Sequence, residues 1–135
     1  MGEADRIDTE EFRRDYEALT RRDWDRAQRL HDPNIEWHDA SELPDAGVHR
    51  GREAVRQRVY EATSDFAEWR VEPKQFIPAG DKLFVESRMW TKAEHTGLEF
   101  DFDLFQVWTF RDGLAIRQQM FRQREQALEA AGLSE

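Results

Sequence analysis

Apolar residues in the first half of the chain recur every three or four positions, which is the spacing of one helix face. Three such segments are predicted as helices, with apolar positions at Phe12, Tyr16 and Leu19, then Trp24, Ala27 and Leu30, then Val55, Val59 and Ala62. Asp8 or Thr9 can cap the first helix and Asp23 the second. Pro33 is expected to end the second helix, and the third follows Gly51.

Between the second and third helices the pattern changes to alternation, which is typical of a strand. Over residues 35–39, one side carries Ile35, Trp37 and Asp39, and the other carries Glu36 and His38. Residues 40–50, which include a proline and a glycine, are predicted as a loop.

From Trp69 onward the pattern predicts four more strands, over 69–77, 82–92, 98–110 and 114–123. Gly-containing turns separate them at 79–81, 95–97 and 111–113, so the strands form an antiparallel meander. Residues 124–131 are predicted as a short helix that ends at Gly132. The order ααβαββββ with a short C-terminal helix indicates an α+β domain, in which three N-terminal helices cover one face of a curved sheet.

The strand over 98–110 carries large apolar groups on both of its faces. One face holds Phe102, Leu104, Gln106, Trp108 and Phe110, and the other holds Asp101, Asp103, Phe105, Val107 and Thr109. A sheet with one wet face would alternate more cleanly, so both faces are expected to be covered. The helices cover one face, and a second copy covering the outer face predicts a homodimer.

Composition narrows the class of protein. The 135 residues carry a net charge of −9 with 36% charged residues, and 9 Phe, 5 Trp and 2 Tyr supply much of the apolar area. We therefore expect one domain over residues 1–135. The acidic balance argues against a nucleic-acid partner. No apolar run is long enough for a membrane span and no secretory signal is evident, so a cytoplasmic location is expected.

No metal or cofactor is predicted. The chain has no cysteine, which excludes disulfides, thiolate nucleophiles and cysteine-bound zinc. The four histidines, at positions 31, 38, 49 and 95, show none of the spacings that are typical of zinc sites.

Four segments together resemble a known family: residues 15–39, 49–61, 107–113 and 124–133, the third reading VWTFRDG. They are similar to the SnoaL-like branch of the NTF2-like superfamily, which also includes ketosteroid isomerase. The resemblance implies a cone, in which a strongly bent sheet wraps around three helices and leaves a deep pocket, and it implies frequent homodimers. It implies no single activity, because this fold hosts isomerases, cyclases, epoxide hydrolases, dehydratases and binding proteins.

By the resemblance to ketosteroid isomerase, Asp39 is the candidate general base and Tyr16 the candidate oxyanion donor. Gln106 stands where the isomerase has a second aspartate, and its amide can donate a hydrogen bond but cannot act as a neutral acid. His38 is a further catalytic candidate because histidine shuttles protons near neutral pH. The strand pleat, however, points His38 away from Asp39.

Two other activities of the family are less well matched. Met120 stands where polyketide cyclases carry an acid, which argues against aldol cyclisation. Arg88, Asp101 and Asp103 are the residue types that limonene epoxide hydrolases use, but strand parity places them on the outer face.

The expected pocket wall is apolar and aromatic with a few polar groups, as small-molecule sites usually are. Its candidate residues are Trp37, Leu104, Gln106, Trp108, Gln118, Met120 and Arg122. The leading hypothesis is a protein that binds a small hydrophobic molecule, with cofactor-free proton transfer of isomerase, dehydratase or cyclase type if it is catalytic. The alternatives are a non-catalytic binding or accessory module, and a cone that side chains fill completely.

Overall fold

One sheet of six strands forms the body of the protein, and its strand order is β2-β1-β6-β5-β4-β3. The computed structural model describes residues 2–133. Their elements are a 3-10 helix (Glu3–Arg6), α1 (Thr9–Thr20), α2 (Trp24–Ala27), β1 (His31–His38), β2 (Val48–Arg50), α3 (Arg52–Thr63), β3 (Phe66–Ala79), β4 (Lys82–Ala93), β5 (Glu99–Arg111), β6 (Leu114–Phe121) and α4 (Arg124–Ala130). Strands β1 and β6 run parallel, and all other neighbours are antiparallel. The predicted α+β class is confirmed.

Helix α1 follows the predicted pattern. The Asp8 carboxylate accepts hydrogen bonds from the backbone N–H groups of Glu10 and Glu11, at 3.1 and 3.2 Å, which satisfies two otherwise unpaired donors of the first turn. Phe12 and Tyr16 lie buried against the sheet. The cap sets where the helix begins, and the apolar stripe sets which face packs.

The second helix is shorter than predicted, and the first strand begins earlier. Asp23 caps α2 as expected, but the helix ends at Ala27 and β1 already begins at His31. Pro33 lies inside β1 instead of ending a helix. A proline is tolerated there because the pairing of β1 with β6 is interrupted between His31 and Glu36, so no ladder hydrogen bond is lost.

The four-strand meander is confirmed, with strand ends that differ from the prediction by at most three residues. The turn between β5 and β6 shows why an Asp-Gly pair predicts a hairpin. Asp112 and Gly113 both have positive φ, 53° and 81°, as the tightest hairpin turns require. Strand β2 was not predicted, because its three residues pair only with β1 and lie inside the expected loop.

The two faces of the sheet are covered differently. The inner face packs against α1 and α3 around a core that includes Trp37, Val55, Trp69, Val85 and Trp108. On the outer face, α4 covers an apolar patch that consists of Phe84, Phe105 and Val107, packing Ala127, Leu128 and Ala131 against it.

The expectation that a second copy covers the outer face therefore needs correction for part of that face. A helix of the same chain covers the patch of Phe84, Phe105 and Val107 on that face. Farther along the strands the outer face is charged, with Arg88 paired to Asp101 and Asp103. The homodimer itself stays a prediction. Within residues 2–133, no helix is long and apolar enough to cross a membrane.

Candidate functional site

A cavity of about 130 Å³ lies between the helices and the inner face of the sheet. An engineered cavity of roughly 150 Å³ in another protein binds benzene, so this space suits one ring. Most of its wall is apolar, formed by side chains that include Trp37, Trp69, Met89, Leu104, Trp108 and Met120. Large side chains therefore do not fill the cone completely.

Tyr16 reaches this cavity from α1 and is held by neutral hydrogen bonds. Its hydroxyl donates to Gln106 Oε1 at 2.6 Å and accepts from Trp108 Nε1 at 2.9 Å. Gln106 Nε2 in turn donates to Gln118 Oε1 at 2.9 Å. Burial raises the pKa of the Tyr16 hydroxyl, while the hydrogen bond from Trp108 acts in the other direction. The phenol is neutral, and its proton is directed at Gln106.

Asp39 lies just beyond the end of β1, in the cavity wall, and is held by charged hydrogen bonds. Its Oδ1 accepts from Arg58 Nε at 3.0 Å, and its Oδ2 lies 2.9 Å from His49 Nε2 and accepts from the backbone N–H of Gly47 at 3.1 Å. Burial alone would raise the pKa of Asp39. The hydrogen bonds from His49 and Arg58 outweigh burial and lower that pKa below its ordinary value.

The lowered pKa bears on the expected basicity of Asp39. The resemblance suggested a carboxylate made more basic by an apolar site. In this structure the carboxylate is ionised at neutral pH, but its donors make it a weaker base than an unpaired carboxylate.

His38 lies on the opposite side of β1 from Trp37, as the pleat predicts, and does not line the cavity. Its Nε2 is 2.9 Å from Glu36 Oε1, on the same side of the strand. The structure therefore does not bring His38 together with Tyr16 and Asp39.

Five of the seven residues expected in the pocket wall do line the cavity: Trp37, Leu104, Gln106, Trp108 and Met120. The other two, Gln118 and Arg122, lie elsewhere. Gln118 is fully buried behind the wall, where it contacts Gln106, and its Nε2 has no hydrogen-bond partner in the described part of the chain. Arg122 directly follows the end of β6, is exposed and does not line the cavity.

Sequence reasoning missed four polar residues of the wall. Asp15, Arg58, His31 and Thr63 all line the cavity. Burial raises the pKa of Asp15, opposed by Arg29 and Arg26, which lie 3.0 and 2.8 Å from its carboxylate oxygens. Asp15 directly precedes Tyr16 and interrupts no periodicity, so it gave no signal. His31 was hidden because its segment was predicted as helix.

Arg88, Asp101 and Asp103 lie outside the cavity, as strand parity predicted. Arg88 bonds both carboxylates, at 2.7 and 2.9 Å, on an exposed surface. Among residues 2–133, no group of three or more His, Asp or Glu side chains is arranged to hold a metal ion.

The family model of the SnoaL-like domain matches residues 12–118, which is most of the chain. The chain belongs to the SnoaL-like family. No match was found among curated proteins.

Solved structures place this SnoaL-like protein in the NTF2-like fold. An NTF2-like protein of unknown function from Burkholderia pseudomallei is 22% identical, with 96% of this chain and 97% of that chain covered and a TM-score of 0.73. TerC, co-crystallised with polyporic acid, is 20% identical over 92% and 97% of the two chains, with a TM-score of 0.74. A protein of ketosteroid isomerase-like fold from Catenulispora acidiphila, in complex with trimethylamine, is 15% identical over 87% and 88%, with a TM-score of 0.68. At these identities the likeness concerns the fold.

Proposed function

We propose that this SnoaL-like protein binds a small hydrophobic molecule and holds one ring of it inside the cavity. The observation that carries the proposal is the cavity itself, about 130 Å³ in volume and walled by Trp37, Trp69 and Trp108. Removing a ring from water into an apolar space of this size is favourable, and aromatic walls add ring-to-ring contacts.

The structural neighbours support this type of function. TerC was crystallised with polyporic acid, and the Catenulispora acidiphila protein was crystallised with trimethylamine. Both are small molecules.

Ethylbenzene is a suitable probe, because it is one ring with a short apolar tail. We expect it to quench or shift the fluorescence of the cavity tryptophans and to saturate. Ala62 lines the cavity and is also exposed, so it marks the opening. Ala62→Trp should block binding, whereas Glu61→Trp, one position along α3 and outside the wall, should leave it intact. No saturable binding to the unaltered protein would refute the proposal.

Cofactor-free proton transfer is the second candidate, and one observation favours it. An ionised carboxylate, Asp39, and a phenol, Tyr16, lie in the same cavity wall, and these are the groups that abstraction of a proton next to a carbonyl needs. The lowered pKa of Asp39 and the donation of the Tyr16 proton to Gln106 argue for binding without turnover.

Acetophenone in D2O separates the two candidates. If Asp39 takes a methyl proton and returns a deuteron, the methyl signal in the proton NMR spectrum decays faster than in buffer, and Asp39→Asn abolishes the difference. If the methyl signal decays at the same rate in buffer, with the unaltered protein and with the variant, Asp39 does not transfer the proton and binding remains the proposed function.

A further inference from the structure

His31 is a polar residue of the cavity wall to which the proposed function assigns no role. It is the first residue of β1 and is 3% exposed. Its ring lies next to two aromatic side chains: the ring centroids are 5.6 Å apart for His31 and Trp108 and 6.2 Å apart for His31 and Trp37. A buried imidazole needs hydrogen bonds, so the partners of its two nitrogens decide what it can do.

Gln28, just after α2, contacts one of these nitrogens. Two independent hydrogen bonds show which atom of its amide is the oxygen and which is the nitrogen. Arg56 Nε donates to Gln28 Oε1 at 2.6 Å, and a guanidinium can only donate. Gln28 Nε2 donates to the backbone carbonyl of Arg52 at 3.1 Å, and a carbonyl can only accept. The oxygen and nitrogen of this amide therefore have one consistent assignment.

This assignment sets the tautomer of His31. Gln28 Nε2 lies 3.2 Å from His31 Nδ1, and its second N–H donates there. Nδ1 must then be the unprotonated nitrogen, so Nε2 carries the hydrogen. Burial, with a smaller contribution from the charge of Arg52, lowers the pKa of His31 to about 3, so the ring is neutral at physiological pH.

The protonated nitrogen is available to a ligand. His31 Nε2 has no hydrogen-bond partner within residues 2–133. The fully enclosed polar atoms that lack a partner among the described residues do not include His31 Nε2, so this nitrogen keeps accessible surface on a side chain that lines the cavity. Several other polar groups of the wall already have partners: Tyr16 donates its proton to Gln106, Thr63 donates its proton to the backbone carbonyl of Val59, and the carboxylates of Asp15 and Asp39 pair with arginines.

We propose that the Nε2–H of His31 donates a hydrogen bond to a carbonyl oxygen of the bound molecule and selects aryl ketones over hydrocarbons of the same shape. Gln28 is the positioning residue, because it holds the proton on Nε2. This inference rests on the proposed function, since the oxygen is recognised only if a ring enters the cavity. A buried donor favours a ligand that pairs it and disfavours one that leaves it unpaired.

Acetophenone and ethylbenzene test the inference, because they differ by a carbonyl in place of a methylene. The measured quantity is the ratio of their affinities, followed by tryptophan fluorescence. His31→Phe keeps a planar ring and removes the N–H, so this ratio should fall by about five- to tenfold. His95→Phe makes the same change at an exposed turn and should leave the ratio unchanged.

A second measurement needs no substitution in the cavity. Imidazole 15N NMR of the unaltered protein should show His31 protonated on Nε2 alone at neutral pH. Gln28→Leu removes the amide and should allow the proton to occupy Nδ1 as well, with a partial loss of the affinity ratio.

The outcomes separate this inference from the proposed function. If both compounds bind and His31→Phe leaves the ratio unchanged, the selective role of His31 is wrong while the binding function stands. The same conclusion follows if the unaltered protein carries the proton on Nδ1. If neither compound binds, the proposed function is wrong, and this inference is wrong with it.

Discussion

Two parts of the cavity wall, which we call the Tyr16 end and the Asp39 end, each hold an acidic side chain by hydrogen bonds, but with different kinds of partner. At the Tyr16 end, neutral groups that are 3–5% exposed satisfy one another, and the residues that pair are 90 and 92 positions apart. At the Asp39 end, a carboxylate meets a cation and a histidine that lie 19 and 10 positions away.

The difference shows what determines ionisation inside the cone. Burial raises the pKa of acidic groups at both ends. Of these two groups, only Asp39 has a cation within bonding distance, and its pKa is lowered overall, whereas the Tyr16 hydroxyl stays neutral. A cation alone does not decide the outcome, because Asp15 lies 2.8 and 3.0 Å from two arginines and burial still raises its pKa. Ionisation in this cavity therefore depends on how burial and the neighbouring donors balance at each group.

The largest expected effect comes from the neutral end. Tyr16→Phe removes one hydroxyl and leaves Gln106 Oε1 and Trp108 Nε1 buried without a partner. Each unpaired group costs energy, so the free energy of unfolding should fall by about 2–4 kcal/mol, measured by urea denaturation. The other tyrosine provides the control. Tyr60 is 53% exposed, and Tyr60→Phe should change stability by less than about 0.5 kcal/mol.

Equal costs for the two tyrosine variants would mean that the hydrogen-bonded chain contributes nothing net. The distinction between a neutral, mutually satisfied end and a charged end would then have no energetic meaning.

The charged end should respond less, and its response should depend on pH. Arg58→Met leaves the Asp39 carboxylate without its cation but with its hydrogen bonds to His49 and Gly47, at a cost of about 1–2 kcal/mol at pH 7. Because the folded-state pKa of Asp39 is lowered, its stabilising contribution is complete above its unfolded pKa of roughly 4 and is lost as pH falls through the folded value.

The gap in unfolding free energy between the unaltered protein and Arg58→Met should therefore be widest near neutral pH and should narrow below about pH 4. Urea midpoints at several pH values measure it. A gap that stays constant across this range would show that Arg58 acts through packing of its stem and not through Asp39.

Much of the wall could be predicted from sequence because it depends on local periodicity. Strand alternation is enough to place Leu104, Gln106 and Trp108 on one side of β5, and turn chemistry sets that strand's ends. The Asp8 cap fixes where α1 begins, and the helical spacing from that point places Tyr16 on the buried face.

The parts that could not be predicted depend on distant partners. Strand β1 begins at His31 because it pairs with β6, and the backbone of Ala115 bonds that of Leu30. Helical spacing through Leu30 gives no hint of a strand partner more than eighty residues away. The same error concealed His31, and missing β2 concealed the position of His49 beside Asp39.

The smallest effect should come from the matched charge cluster outside the cavity. Arg88 bonds two carboxylates at 2.7 and 2.9 Å, and Arg58 bonds two at 3.0 and 3.2 Å. Distance alone would make Arg88 the more important cation. Its side chain is 43% exposed, however, against 12% for Arg58, so water and salt screen its pairs.

Arg88→Met should therefore shift the urea midpoint much less than Arg58→Met, and the shift should vanish in about 1 M salt, where charges are screened within roughly 3 Å. The Arg58 effect should largely survive that salt, because the side chain of its partner Asp39 is only 4% exposed. If both arginine variants lost stability equally and lost their effects together in salt, the cavity would offer its carboxylate no protection from solvent. Asp39 would then behave as a surface charge.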